Sequence, residues 1–152
     1  MKLAKIWYLL AIMIWMSAFL VSCKKDKPEI SNIPIISIQS VSPAGNIKEF
    51  TDSVTLIIAY EDGDGDLGEN STTAKNLFIT DSRIGVTESF RISELAPSGA
   101  SIHIKGTLRL VRKNIPITNG NSSEQFTYNV YVKDRAGNQS NTVSSPAITV
   151  VK

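Results

Sequence analysis

The chain has one cysteine, Cys23, and one histidine, His103, among its 152 residues. A lone thiol closes no internal disulfide, and one thiol with one imidazole cannot complete the tetrahedral shell of an ordinary zinc site. A serine–histidine–acid triad would have to use His103. That residue lies on the polar side of an alternating segment, beside Lys105, with no serine in a nucleophile elbow, so it reads as a surface histidine. No glycine-rich loop opens a helix to cradle a phosphate, and no window carries a helical period. Aromatics are scarce too: both tryptophans precede Cys23, leaving Tyr60, Tyr128, Tyr131 and four phenylalanines beyond it. Sugar-stacking surface is therefore thin. An excess of positive charge is missing as well. Lys2 and Lys5 belong to the N-terminal leader, so 14 basic residues face 14 acidic ones thereafter, which argues against a nucleic-acid partner. A carboxylate pair for glycoside hydrolysis would need a lined cleft. The acidic segment after Tyr60 carries no aromatic residue to line one, and a non-catalytic protein is the expectation.

The leader is the most legible part of what is present. Lys2 and Lys5 precede an uncharged apolar run from Ile6 to Leu20, and Leu20-Val21-Ser22-Cys23 closes it. The run is shorter than the ~20 residues of a spanning helix and has the layout of a secretory signal. Its last four residues resemble the bacterial lipobox, which implies a signal peptide over residues 1–22 and lipidation of Cys23. Several acyl chains would anchor it firmly, at about 0.8 kcal/mol per buried CH₂. Residues 23–32 read as a charged, proline-bearing tether with a reach of roughly 35 Å. Lys24 follows the cysteine where an Asp would signal inner-membrane retention in known lipoprotein sorting, so the resemblance implies the outer membrane of a bacterial cell envelope. The periplasmic and surface faces both stay open.

From residue 33 to 152 the chain is long enough for one domain. Ile102, Ile104, Leu108 and Leu110 alternate with His103, Lys105, Thr107 and Arg109. Phe126, Tyr128, Val130 and Val132 alternate with Thr127, Asn129, Tyr131 and Lys133. Both rows have the period of a half-buried strand. Val54 to Tyr60 is apolar on both faces apart from Thr55, as in a central strand. Shorter candidates are residues 33–40, 76–81, 87–92 and 146–151, each bounded by turn residues. About seven strands without a helix predict an all-β, immunoglobulin-like antiparallel sandwich.

If each strand reverses direction, the second-to-third, fourth-to-fifth and sixth-to-seventh connections share one end, together with the tether. The first of these is EDGDGDLGEN, residues 61–70, and the last is DRAGNQSN, residues 134–141. Asp62, Asp64 and Asp66 stand at alternate positions between Gly63, Gly65 and Gly68, which let the backbone curl. Ca²⁺ takes six to eight oxygens from carboxylates, amides, carbonyls and water. These three aspartates with Asp134 and Asn138 form a candidate structural calcium site; a solvated hairpin loop is the alternative. The spacing is shared with EF-hand loops, but Leu67 stands where that loop needs glycine and Thr73 where it needs glutamate. A site at the end of a sandwich, as in cadherin-like domains, is the better match.

YVKDRAGNQSNTVSSPAITV, residues 131–150, resembles the closing strands of bacterial immunoglobulin-like modules. With AYEDGDGDLG (residues 59–68) and the lipobox, the chain resembles small immunoglobulin-like lipoproteins of Bacteroidota. Asp52-Ser53-Val54 also matches the O-glycosylation pattern of that phylum, which marks Ser53, though strand-edge chemistry explains the triplet equally well. The resemblance implies a lipid-anchored envelope module. Its alternative is an accessory binder of polysaccharide or of an envelope protein.

Overall fold

The computed structural model describes residues 30–152. The expected signal peptide, Cys23 and the first part of the tether lie outside the described residues. Ten strand segments follow one another: β1 (Ile35–Ser42), β2 (Ile47–Lys48), β3 (Val54–Asp62), β4 (Leu77–Asp81), β5 (Thr87–Phe90), β6 (Ile104–Arg112), β7 (Ser123–Phe126), β8 (Tyr128–Val132), β9 (Val143–Ser144) and β10 (Ile148–Val151). Six of the seven expected strands correspond to β1, β3, β4, β5, β6 and β10, the row from Phe126 is interrupted at Thr127 between β7 and β8, and β2 and β9 are two-residue segments outside the expected strands.

One layer has the order β1-β3-β6, antiparallel throughout, with a bulge at Gln39. The other comprises β5-β4-β8-β9 and β7-β10-β2. The two groups join where Ser145 pairs with Tyr128: the Ser145 N–H donates to the Tyr128 carbonyl (2.8 Å), and the Tyr128 N–H to Ser145 Oγ (2.9 Å). β2 pairs parallel to β10, with Ile47 opposite Val150. The result is an all-β sandwich.

Its core follows from the alternation. Val54, Leu56 and Ile58 on β3 are fully buried, and so are Val130 and Val132 on β8 and Val150 on β10. Each contributes about 1.5–3 kcal/mol relative to an exposed position. Every member of the core cluster lies between Ile36 and Val150. Residues 24–152 thus carry a complete core of their own.

Three connections meet at one end, as alternating strand direction requires. The Ile102 N–H donates to the Asp64 carbonyl (3.1 Å), the Arg135 N–H to the Asp66 carbonyl (3.3 Å), and the Gly63 N–H to the Ser31 carbonyl (3.0 Å). The acidic loop is therefore bonded to the fourth-to-fifth connection, to the sixth-to-seventh connection and to the end of the tether.

Candidate metal centre

The acidic loop is anchored at both ends by what it buries. Asp62 is the last residue of β3, and the pleat that buries Leu56 and Ile58 turns its side chain inward too, to 0% exposure. Leu67, also at 0%, drops into the core five residues later, and its N–H donates to Asp62 Oδ2 at 3.0 Å. The loop must curl tightly between these fixed points. Gly65 and Gly68 adopt φ of 75° and 90°, where a side chain is strained, and another chain segment fills the space that a Cβ would need. At Gly63 an added Cβ would stand 2.5 Å from the Ser31 carbonyl oxygen, so the tether can lie against the loop only because that position is glycine.

The curl brings Asp62, Asp64 and Asp66 together, with one carboxylate oxygen from each lying within 4.8 Å of the others. Their remaining bonding is unequal. Asp62 Oδ2 holds the Leu67 N–H, and Asp66 Oδ2 accepts the Ala136 N–H at 2.9 Å. The Oδ1 atoms of all three aspartates are buried and accept nothing from the protein. Buried polar atoms in folded proteins are nearly always satisfied, so three adjacent exceptions require an explanation.

Charge sharpens the problem. Burial, together with the charges of Asp64, Asp66 and Asp134, raises the Asp62 carboxyl from 3.8 to about 6, although the Leu67 N–H works against the rise. Burial and then the charge of Asp134 push Asp66 upward as well, only partly offset by the Ala136 N–H and Arg135. Arg135 is the cation whose charge acts on Asp66, but its Nη1 donates to the Gly68 carbonyl at 2.8 Å and faces Glu94 at 3.7 Å. It braces the loop from outside and does not enter the carboxylate cluster.

Asp134 and Asn138 are placed differently from the three aspartates. Asp134 is buried (7% exposed) and close enough for its charge to act on Asp62 and Asp66. Both of its oxygens, however, accept bonds from Asn138: Oδ1 from the backbone N–H at 2.7 Å and Oδ2 from Nδ2 at 2.9 Å. The pair forms a closed turn beside the cluster. Ser53 is half-buried immediately before β3; its neighbour Asp52 accepts the Lys48 N–H at 2.7 Å, which is turn chemistry. His103 is exposed and pairs through Nε2 with Glu61 Oε1 at 2.9 Å.

Two contributors escaped the sequence reading. Leu67 registered there as a departure from the EF-hand pattern; in the structure it is the buried peg that shapes the loop, and a single large apolar residue in a polar segment was the available signal. Asn76, 7% exposed, clamps the loop's far end to Ile92, accepting the Ile92 N–H at 2.6 Å and donating to its carbonyl at 3.3 Å.

No family model matches the chain, and no curated protein matches it. Among solved structures, a mutant of the SrpA adhesin from Streptococcus sanguinis is similar at 16% identity with a TM-score of 0.40, over 79% of this chain. The chain spans 58% of that structure's length.

Proposed function

We propose that this chain is a non-catalytic, lipid-anchored immunoglobulin-like module of the bacterial cell envelope, of the kind found in Bacteroidota, whose tether end is held together by Ca²⁺. The observation that carries the ion is the convergence of three buried carboxylate oxygens with no protein donor. A hard cation would satisfy all three at once and offset the burial and the repulsion that raise Asp62 and Asp66. An all-oxygen set, without imidazole or thiolate, selects Ca²⁺ or Mg²⁺ over zinc or copper. Ligands drawn from an irregular loop favour Ca²⁺, which tolerates irregular shells, over Mg²⁺, which demands a near-ideal octahedron. Asp62, Asp64 and Asp66 would hold the ion, with Asp134 and Asn138 alongside.

The role is mechanical. Gly63, which bonds to Ser31, sits between two of the three aspartates. Fixing the loop therefore fixes the angle at which the sandwich leaves its tether. The accessory-binder reading keeps both a protein and a polysaccharide open, because Tyr60 and Tyr131 are only half-buried and Tyr131 stacks with Phe78 on the outer face of its sheet. Tyr128 is buried, Tyr60 lies over Gly106, and Tyr131 stacks on Phe78 with centroids 4.7 Å apart.

The test is thermal unfolding of residues 24–152 in about 1 mM Ca²⁺ and in excess chelator. For a Kd near 0.1 mM, in the range of extracellular sites, linkage gives about 1.4 kcal/mol, a rise of several degrees. An identical midpoint in both conditions, with Ca²⁺ taken to about 10 mM, would exclude the ion and leave a solvated acidic loop.

A further inference from the structure

β6 has a neighbour on one side only. It pairs with β3 from Ile104 to Arg112, and no backbone hydrogen bond to any other described segment leaves those nine residues. The opposite edge of the same layer is pinned at one residue, Ile36. There Asn141 acts as a one-residue strand on β1, accepting the Ile36 N–H and donating to the Ile36 carbonyl, both at 2.9 Å. β5 pairs with β4 and not with β6. Arg112 reaches across the gap, to Glu88 and over the Phe90 ring.

The open edge also has a charge of its own. Between Leu95 and Ser123 the sequence holds Lys105, Arg109, Arg112 and Lys113 and no acidic residue, in a chain whose charges balance overall beyond Cys23. Lys105 and Arg109 are exposed on the outer face of β6, while Ile104 and Leu108 lie half-buried at the rim of the core.

We propose that β6 receives an added β-strand from a partner protein, an extended segment with acidic side chains at alternate positions and apolar ones between them. Main-chain groups along a free edge supply the hydrogen bonds, and alternate side chains supply selection. The acidic row would face Lys105 and Arg109, and the apolar row would cover Ile104 and Leu108. A second copy of this chain fits poorly. Antiparallel self-pairing centred on Thr107 sets Lys105 opposite Arg109 twice, and like charges directly opposite destabilise a pair. The inference is independent of the ion.

The experiment uses residues 24–152 in about 1 mM Ca²⁺ and about 50 mM salt, where screening is moderate. The probe is a labelled, end-capped peptide of alternating Glu and Val, nine residues long to match β6, read by fluorescence anisotropy; its Lys–Val counterpart is the control. The acidic peptide is expected to bind at least about tenfold more tightly than the basic one. Lys105→Glu with Arg109→Glu should invert that order. Both positions are exposed, and circular dichroism reports retention of the fold. Amide exchange should slow in β6 on addition of the acidic peptide. Equal binding by the double variant, protection confined to other strands, binding of neither peptide, or sedimentation as a β6-paired dimer would each overturn the proposal.

Discussion

Replacing Asp62 by asparagine should stabilise the domain without Ca²⁺ and weaken it with Ca²⁺, a reversal of sign that few other roles for this residue produce. Without the ion, an ionised Asp62 at neutral pH sits fully buried with Oδ1 unbonded and faces two further carboxylates. Raising its folded value from 3.8 to about 6 corresponds to a penalty of at most about 3 kcal/mol at neutral pH. Asp62→Asn keeps the shape and an oxygen for the Leu67 N–H, removes the charge, and can present an N–H to Asp64 or Asp66. A gain of about 1–3 kcal/mol is expected in chelator. For a domain near this size, that raises the melting temperature by roughly 4 °C per kcal/mol.

With Ca²⁺ the same change removes one of three anionic ligands. If affinity falls tenfold from a Kd near 0.1 mM, the stabilisation by 1 mM Ca²⁺ drops from about 1.4 to about 0.4 kcal/mol. Thermal unfolding of both proteins in chelator and in Ca²⁺ gives the four numbers needed, and calorimetric titration gives the affinities directly. Equal destabilisation of the variant in both conditions would refute the reasoning. Asp62 would then be no more than an acceptor for the turn at Leu67.

Two further predictions follow from the charges. Asp62 is raised to about 6 in the folded protein and Asp66 is raised as well, so the cost of ionising Asp62 is full above about pH 6 and disappears toward the unfolded value of 3.8, with Asp66 adding in the same direction. The metal-free domain should accordingly melt higher at pH 5 than at pH 7.5, whereas the Ca²⁺ increment should shrink over the same interval as protons compete for the site. Scans at both pH values with and without chelator check this, and a metal-free midpoint that falls on acidification would contradict it. At the opposite end of the sandwich, Arg83→Ala should cost about 3–5 kcal/mol by stranding its partner Asp81. Urea unfolding would show it, and a loss below about 1 kcal/mol would mean that the pair is solvated.

How far the sequence carried depended on whether a feature is local. The row Phe126 to Lys133 and the run Val54 to Tyr60 have clear periods, so strand identity, strand direction and the meeting of three loops were all legible. Ile47–Lys48 was missed because two residues carry no period, and its parallel pairing with β10 is decided by packing. Nothing in residues 87–92 says whether that strand joins β4 or β6, yet this choice is what leaves β6 uncovered. Tyr131 could not be assigned until Phe78 was placed beside it on β4. The sequence shows Asp134 and Asn138 as oxygen-bearing side chains, but not that they bond to each other across a tight turn. Such side chains bond first to their own neighbourhood.

The strongest argument for a cation at the tether end is how the same chain treats buried acids elsewhere. Near the far end, Asp81 accepts from the Arg83 Nε at 3.0 Å and from its Nη2 at 2.6 Å, while Arg83 Nη1 reaches the Pro116 carbonyl at 2.8 Å and Glu124 at 3.2 Å. The guanidinium also lies 3.9 Å from the Phe126 ring centroid. Burial pushes Asp81 upward, but the hydrogen bonds and charge of Arg83 overcome it and hold the carboxyl below its ordinary value. Glu124 is lowered as well, first by the Thr118 N–H and further by Arg83. There the chain supplies its own cation, and none of the carboxylate oxygens is left buried and unbonded. Around Asp62, Asp64 and Asp66 the acids are more numerous, Asp62 and Asp66 are shifted the other way, and the Arg135 guanidinium is committed to Gly68 and Glu94. A fold that neutralises one acidic cluster from within, and leaves three aspartate oxygens of a denser one without a donor among the described residues, is what the proposed Ca²⁺ site accounts for.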